Sequence, residues 1–517
     1  MNPFVLERTM KFVILALLLV AGCLYFYQPD TSHNIPKVRI QTDKPIATTD
    51  RRFLSVALDT AQIVGSYFWD REGEMVGGRG KNKVPQLDLT DPELIRKARQ
   101  LAPAYLRIGG SEADAVYYNI DGNKRPEGYD SEFTTDKLVE LNNFAKETGL
   151  KIFFTLNQGP SSWKSNQWVT DNHERLFEFI QQKGFDWTFE LGNEVFAYWA
   201  VFGREFQPTE QQYADNFLKT KSLLAKYRLN TNLSGPASAY WPIIGEPLGF
   251  FFGSINELLP VLKTNLGTIT WHYYPTQSFR CPVAVRRASK DSLVTAKYLD
   301  EVSHWGKELK SLRDRFAPNS DLWLGETGSA QCGGEPGVSD TYTNAIWWID
   351  QLGQLARLDH KVVIRQNLIG ADYAMLNDDI SARPDYFASL LWKKHMGQQV
   401  LNVQITNRND SVRIYSHCST EKSKVALLAI NISSEDRKLD LDQFNSPTYI
   451  ETLMPSAGPL SSSSVLNGQP LTSIGQIRQS SPHQVTNVRI DLPPYSLSFI
   501  QIPDVNHVCP TPIELNP

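Results

Sequence analysis

The chain from residue 53 to 396 alternates short β-branched or aromatic runs with longer amphipathic stretches. Short apolar runs are typical of buried parallel strands, and amphipathic stretches are typical of the helices that cover them. The runs predict eight strands, at 53–58, 105–108, 151–156, 187–191, 232–234, 268–272, 322–325 and 362–366. The stretches predict helices that include 135–148, 209–227, 291–315, 340–357 and 385–395.

Eight alternations predict an α/β fold, a (β/α)₈ TIM barrel over 51–397. An open dinucleotide-binding sheet is disfavoured because no glycine-rich loop follows the first strand. After Gly397 the chain changes to alternating strands separated by polar turns, which predicts a C-terminal β-sandwich over 398–517. The segment 31–50 has no helical period, and we expect it to add a strand to that sandwich.

The first 30 residues contain an apolar run at 12–27 that follows Arg8 and Lys11. This pattern predicts a signal peptide or an uncleaved N-terminal membrane anchor, and a lipoprotein cleavage box ending at Cys23 is a further reading. Each alternative exports the chain. We therefore expect the secretory pathway, with the folded part extracellular, lysosomal or membrane-anchored outside the cytosol, and a membrane partner only if the segment is uncleaved.

Composition narrows the class of protein. With 41% hydrophobic and 21% charged residues the chain has the composition of a folded globular protein. The net charge is −4, and no long basic run is present, so nucleic acid is not an expected partner. We expect a monomer.

Four cysteines follow the leader, and an even number in an exported protein favours two disulfides. They are Cys281, Cys332, Cys418 and Cys509. No zinc-type spacing accompanies them, and we expect neither a metal nor a cofactor. Three Asn-x-Ser sequons are candidate glycosylation sites: Asn232, Asn409 and Asn431.

Two predicted strands end in carboxylates. FELGNE places Asn193 and Glu194 after the fourth strand, and LWLGETG places Glu326 at the end of the seventh. In a TIM barrel these ends converge on one pocket. A lone Glu there is more often an ion-pair partner or a surface residue, but two carboxylates facing each other across about 5 Å are what a retaining glycosidase needs.

The motifs resemble heparanase-like members of glycoside hydrolase family 79, in the clan of retaining glycosidases whose acid and nucleophile follow the fourth and seventh strands. The similar segments are LSVALD, LAPAYLRIGGS, FELGNE, TWHYY, LWLGETGSA, KVVIRQ and PDYFASLLWKKHMGQQVL. The resemblance extends from about residue 53 to Cys509.

The resemblance implies roles for individual residues. Glu194 is expected to be the proton donor, Glu326 the nucleophile, and Asn193 a ligand of the sugar 2-hydroxyl. Further expected substrate contacts are Asp59, Ser111, His272, Tyr274, Gln366 and Tyr373. The chain reads Trp-His-Tyr-Tyr-Pro around His272 and is one residue shorter there than the family pattern.

Two loops depart from the family. Its Tyr-Gly-Gly turn, whose amides hold a uronate carboxylate, is replaced by Gln331-Cys332-Gly333-Gly334, and Gly333 and Gly334 are still expected to form an anion nest. The loop 239–253 lacks the family's cations. The remaining candidates for anion contacts are Arg280, Arg286, Arg287 and Lys290.

The family pattern also implies a bridge between Cys418 and Cys509, and neighbouring loops suggest a second between Cys281 and Cys332. The expected function is a retaining β-glucuronidase of the heparanase type that cleaves a glucuronate-containing polysaccharide, a glycosaminoglycan such as heparan sulfate. The alternatives are an exo-acting or hyaluronan-cleaving relative, and a catalytically silent carbohydrate-binding matrix protein.

Overall fold

The computed structural model describes residues 35–41, 43–69, 75–76, 79–80, 82–165, 167–242, 254–421, 423–441, 448–480, 482–485, 489–503 and 509. The predicted leader and residues 243–253 lie outside the described residues. Within the described part, no helix combines the length and apolarity that a membrane crossing requires.

Eight parallel strands close into a barrel, which confirms the predicted fold class. In barrel order they are Leu54–Asp59, Tyr105–Gly109, Lys151–Leu156, Thr188–Leu191, Ser234–Tyr240, Thr268–Tyr273, Asp321–Thr327 and Val362–Arg365. The eighth strand pairs with the first through Val363 and Leu54. All eight carboxyl ends therefore point to the same mouth.

Helices cover the barrel with their apolar faces. The longer ones are Pro92–Gln100, Thr135–Thr148, Asp171–Lys183, Glu210–Lys226, Ile255–Leu262, Glu301–Phe316, Tyr342–Arg357 and Pro384–His395. The single helix predicted over 291–315 is wrong: the chain forms Lys290–Val294, Ala296–Leu299 and Glu301–Phe316. Thr295 interrupts it because its backbone is extended, with φ −109° and ψ 129°.

The fifth strand begins and ends later than predicted. The strand continues through Gly235-Pro236 to Tyr240. A bulge after Pro236 accommodates the missing N–H group. Ala237, at φ 55°, donates its backbone N–H to the Thr270 hydroxyl instead.

Twelve strands of the described residues form a second, continuous sheet. Its long strand Met396–Thr406 pairs with Val412–Ser419 and, antiparallel, with the N-terminal strand Lys37–Gln41. Apolar side chains from both halves of the sheet, such as Ile40 and Leu427, share one core. The remaining strands are Ala47–Thr48, Lys424–Asn431, Arg437–Asp440, Thr448–Pro455, Ser464–Leu466, Gln469–Leu471, His483–Val485, Arg489–Leu492 and Leu497–Pro503. The domain boundaries stay a prediction.

Both expected cysteine pairs are disulfides in the structure, Cys281–Cys332 and Cys418–Cys509. The structure corrects the prediction of a glycosylation site at Asn431. Asn431 is fully buried, and its side-chain amide donates to the carbonyl groups of Glu435, Leu492 and Pro493. Its nitrogen is therefore not accessible to a glycosylating enzyme in the folded chain.

A buried ionic network joins the barrel to the second sheet. Asp350, on helix Tyr342–Arg357, is fully buried and accepts hydrogen bonds from Arg413 Nε at 2.9 Å and from the Tyr415 hydroxyl at 2.6 Å. Arg413 also bonds Asp300 at 2.5 Å. Removing one partner of such a pair leaves an uncompensated buried charge.

We predict that Arg413→Met lowers the free energy of unfolding by about 3–5 kcal/mol because it leaves the Asp350 carboxylate buried without a cation. Urea denaturation measures the change. Arg408→Met is the matched control, since Arg408 is 67% exposed and its ion pair with Asp410 is long, at 3.6 Å. Adding Asp350→Asn to Arg413→Met should recover part of the loss, and equal effects of the two arginine variants would contradict the prediction.

Candidate active site

A cavity of about 430 Å³ opens where the barrel strands end. The structure brings eight of the predicted residues together in its lining: Asp59, Ser111, Asn193, Glu194, Tyr274, Glu326, Gln366 and Tyr373. His272 is fully buried beside the cavity and contacts Glu194. Gly333, Gly334 and Arg280 are not part of this lining.

The two glutamates face each other. One oxygen of Glu194, one of Glu326 and a ring nitrogen of His272 all lie within 4.8 Å of one another. Retaining glycosidases hold their carboxyl groups about 5–5.5 Å apart, whereas inverting ones need about 6.5–9.5 Å. The spacing fits direct attack by one carboxylate rather than attack by a water molecule between them.

The same three side chains are close enough to ligate a metal ion. However, the guanidinium of Arg107 donates to Glu326 Oε2 at 2.6 Å. A fixed positive charge at that distance opposes the binding of a second cation. The arrangement therefore fits acid–base and nucleophilic chemistry better than metal binding.

Arg107 lies at the centre of the site, and the sequence analysis assigned it no role. Its fully buried guanidinium donates to Glu190 Oε2 at 2.9 Å, to Glu326 Oε2 at 2.6 Å and to Asn193 Oδ1 at 2.9 Å. The two glutamates raise the pKa of Arg107 despite its burial. The ion pairs therefore keep the guanidinium charged and tie the second, fourth and seventh strands together.

Glu326 is held by a second donor. The hydroxyl of Tyr274 donates to Glu326 Oε1 at 2.7 Å. The shortened Trp-His-Tyr-Tyr-Pro motif therefore still delivers a tyrosine to this carboxylate. Both oxygens of Glu326 are fixed by hydrogen bonds, one on each side.

Glu194 is in a different environment. It follows Gly192 and Asn193 in a tight turn and has a left-handed backbone, with φ 52° and ψ 47°. Its Oε1 accepts a hydrogen bond from the Trp241 indole at 3.1 Å and lies 3.1 Å from His272 Nδ1. Burial raises the pKa of Glu194 to about 7, although Trp241 and Arg107 pull the pKa down.

His272 is neutral at ordinary pH. Burial lowers its pKa to about 4. A neutral imidazole beside Glu194 supplies a hydrogen-bonding partner without adding a charge that would ionise the carboxyl group. This environment favours a protonated Glu194 near neutral pH.

Asp114 was also missed by the sequence analysis. This fully buried residue accepts hydrogen bonds from the backbone N–H groups of Asn193 and Gln158, both at 2.8 Å. Burial raises the pKa of Asp114 to about 7. The side chain anchors the turn that carries Glu194.

Asn193 and Asp59 present polar groups to the cavity. Asn193 Oδ1 accepts from Arg107 and from the Gly110 backbone at 3.2 Å, so its amide nitrogen is the group left to donate to a ligand. Asp59 accepts from Gln366 Nε2 at 3.1 Å, and burial raises the pKa of Asp59 to about 8. Gly110 is required because a Cβ there would lie 2.1 Å from Asp59 Oδ2.

The turn that replaces the family's Tyr-Gly-Gly has an unusual backbone. Cys332, Gly333 and Gly334 have φ values of 61°, 84° and 86°. Arg280, whose side chain is 2% exposed, donates to the Gly334 carbonyl at 2.7 Å and pairs with Asp372 at 2.6 Å. Arg280 therefore supports the turn from behind and does not reach the cavity as a substrate contact.

The other predicted anion contacts are engaged with acids. Arg286 pairs with Glu301, and Arg287 pairs with Glu335 at 2.6 Å. Lys290 lies 3.4 Å from Asp291. None of these three cations belongs to the described lining of the cavity.

A signal for Arg107 was present in the sequence: a charged residue inside the otherwise apolar run YLRIGG. Charged side chains are rarely fully buried without a partner, so a strand-interior arginine indicates a buried counter-charge. The partners Glu190 and Glu326 lie 83 and 219 residues further along the chain. No local sequence pattern identifies these two glutamates as the partners of Arg107.

The chain is similar to known glycosyl hydrolases over most of its length. The family profile described as "Glycosyl hydrolase family 79, N-terminal domain" matches residues 36–353. Heparanase of Rattus norvegicus is 28% identical over 75% of this chain and 80% of its own length. Baicalin-beta-D-glucuronidase of Scutellaria baicalensis is 27% identical over 89% of this chain and 91% of its own. Inactive heparanase-2 of Homo sapiens is 24% identical over 90% and 88%.

The fold is shared with solved glycosidases. A 4-O-alpha-L-rhamnosyl-beta-D-glucuronidase from Fusarium oxysporum 12S superposes with a TM-score of 0.63 at 13% identity, covering 90% of this chain and 100% of that one. At this identity the likeness concerns the fold alone.

Proposed function

The chain belongs to glycosyl hydrolase family 79 and is a glycoside hydrolase, and we propose that it is a retaining β-glucuronidase. The observation that carries the proposal is the pair Glu194 and Glu326, whose oxygens approach within 4.8 Å in two opposite environments. One carboxyl group is buried against a neutral ring and an indole, and the other is held by a guanidinium and a phenol.

In the first step the Glu326 carboxylate attacks the anomeric carbon, while Glu194 donates its proton to the departing oxygen. A glycosyl ester of Glu326 forms and the glycosidic C–O bond breaks. Arg107 and Tyr274 orient the nucleophile, since each donates to one of its oxygens. The raised pKa of Glu194 keeps the required proton available.

In the second step Glu194, now ionised, removes a proton from a water molecule that attacks the same carbon and releases Glu326. The configuration of the sugar is retained because the carbon is inverted twice. Asn193 contributes a donor toward the sugar 2-hydroxyl, a contact that strengthens as positive charge develops in the transition state.

We propose that the uronate is recognised at the Cys332–Gly334 turn, which reaches the cavity lining through Cys332, and by the lining residues Tyr274 and Tyr373. Among the described residues, the backbone N–H groups of Gly333 and Gly334 donate no hydrogen bond, whereas the Gly334 carbonyl accepts one from Arg280. Backbone N–H groups in such a turn can bind a carboxylate. The hydroxyl of Tyr373, in the cavity lining, is a further donor.

A catalytically silent carbohydrate-binding protein is the second candidate, since one relative is named an inactive heparanase. The hydrogen-bonded placement of both carboxyl groups argues against it. A binding protein has no need of a buried acid with a pKa of about 7 beside a fixed carboxylate.

The glycan itself is the finer part of the proposal. Heparan sulfate is the sequence-based hypothesis, and an exo-acting or hyaluronan-cleaving enzyme is the alternative. The described cavity lining contains no lysine or arginine. This observation favours the alternative, because sulfates are ordinarily bound by cations.

The two disulfides support the proposed export of the chain. Disulfides form and persist in oxidising compartments. The final location, extracellular, lysosomal or membrane-anchored, depends on the N-terminal segment.

We predict that Glu326→Gln lowers kcat on any β-glucuronide at least 100-fold, because the nucleophile is required whatever the leaving group. Glu194→Gln should be equally impaired on a saccharide substrate. It should lose less in the first step with 4-nitrophenyl β-glucuronide, whose leaving group departs without protonation. A burst of nitrophenol would then precede slow hydrolysis of the glycosyl enzyme.

Glu257→Gln is the matched control, since Glu257 is exposed on helix Ile255–Leu262. It should retain wild-type turnover. Proton NMR of the first product should show the β anomer. Near-normal turnover by a folded Glu326→Gln protein, or an α anomer as first product, would contradict the mechanism.

We predict that kcat/KM falls tenfold per pH unit above about pH 7, where Glu194 loses its proton. Trp241→Phe should move this limb to higher pH. The indole N–H stabilises the ionised carboxylate and so lowers the pKa of Glu194, and its removal raises that pKa. A pH–rate profile measures the shift.

Trp305→Phe is the control for this experiment, because Trp305 lies on the helix layer and packs against Tyr240 rather than Glu194. Its profile should match that of the wild type. A Trp241→Phe limb that moves to lower pH would show that the tryptophan does not act through this hydrogen bond.

A further inference from the structure

The cavity wall beside the acid is apolar. Trp199, Ala200 and Val201 come from the segment that follows Glu194, and Trp241 donates directly to Glu194 Oε1. Pro282 and Val283, from the loop after the sixth barrel strand, also line the cavity, next to Cys281, which is bridged to Cys332. These six residues are called the apolar wall below.

The apolar wall is accessible to a ligand. Val283 is 53% exposed, and both tryptophans are partly exposed although they are large and apolar. Exposed apolar surface that lines a concave site gains free energy when a ligand covers it. The wall therefore favours a ligand that presents an apolar face.

The charged residues of the cavity also favour an uncharged ligand at the wall. The described lining includes the acids Asp59, Glu194 and Glu326 and no lysine or arginine. Arg286 and Arg287, on the loop that carries Val283, are paired with Glu301 and Glu335. A sulfate placed against the wall would find no lysine or arginine in the described lining with which to pair.

Chemistry assigns the wall to the leaving group. The acid must lie within hydrogen-bond reach of the glycosidic oxygen, so the group attached to that oxygen lies next to Glu194. Trp241 is hydrogen-bonded to Glu194. Trp199 lies five residues after Glu194 in the chain. Trp241 is thus the part of the wall next to the departing group, and the other five residues line the same cavity.

We propose that the apolar wall is a leaving-group subsite that selects an uncharged ring with an apolar face and discriminates against a sulfated sugar. The ring belongs either to an aryl aglycone or to an unsulfated sugar. The proposal rests on the β-glucuronidase function and adds to it the class of group that the enzyme releases.

The test compares three substrates with the same glucuronosyl group: 4-nitrophenyl β-glucuronide, glucuronosyl-N-acetylglucosamine, and the same disaccharide with a 6-O-sulfate. We expect kcat/KM for the sulfated disaccharide to be at least tenfold below that of the unsulfated one. Because nitrophenol is the better leaving group, the two sources of the ring are distinguished by binding: calorimetry on Glu326→Gln compares phenyl β-glucuronide with the unsulfated disaccharide. Equal kcat/KM for the sulfated and unsulfated disaccharides would overturn the proposal.

A matched pair of variants locates the effect. Val283→Lys places a cation in the wall, and Val285→Lys places one on the same loop at a valine that is 45% exposed but does not line the cavity. Val283→Lys should raise the ratio of sulfated to unsulfated kcat/KM at least fivefold, and added salt should reduce the gain. Val285→Lys should leave the ratio within twofold. Equal effects of both variants would show that general charge, and not the wall, sets the preference.

Binding separates failure of this proposal from failure of the proposed function. If none of the three compounds is hydrolysed, the β-glucuronidase assignment fails. Calorimetry on Glu326→Gln with phenyl β-glucuronide and with the sulfated disaccharide still tests the wall. Tighter binding of the phenyl compound supports the subsite, and equal or weaker binding overturns it.

Discussion

The site depends on one buried cation. Arg107 donates to Glu190, Glu326 and Asn193, and thereby links the second, fourth and seventh strands at the barrel mouth. Without it, the fully buried Glu190 would lack its cation, and burying an unpaired carboxylate costs several kcal/mol. The same ion pairs that compensate the buried charges therefore also fix Glu326, the proposed nucleophile, relative to the turn that carries Glu194, the proposed acid.

The barrel places two chemically identical side chains in unlike surroundings. Glu326 faces charged and phenolic donors, whereas Glu194 faces a neutral imidazole and an indole, and burial raises its pKa to about 7. Environments that separate the protonation of two carboxyl groups assign one as acid and the other as nucleophile. Asp114 also helps to position Glu194, since it accepts a hydrogen bond from the backbone N–H group of Asn193, in the turn from which Glu194 projects.

Periodicity in the sequence predicts the eight barrel strands, and strand ends identify Glu194 and Glu326, because both signals are local. Contacts between distant segments leave no such signal. Arg107 is separated from Glu326 by 219 residues, and Trp241 from Glu194 by 47. Arg280 illustrates the converse: the sequence shows a cation near the site, but its partner Asp372 is 92 residues away, and only the fold shows that the charge is already used.

The proposed glucuronide substrate is an anion, and its recognition needs favourable contacts that do not lower the pKa of Glu194. A lysine or arginine within the cavity would lower the pKa of Glu194, as Arg107 already does to a limited extent. The proton needed by the leaving oxygen would then be lost at lower pH. Backbone N–H groups such as those of Gly333 and Gly334 carry only partial charge and act at short range. The proposed recognition of a uronate by the glycine turn, with Arg280 paired to Asp372 behind it, is thus compatible with a Glu194 pKa of about 7.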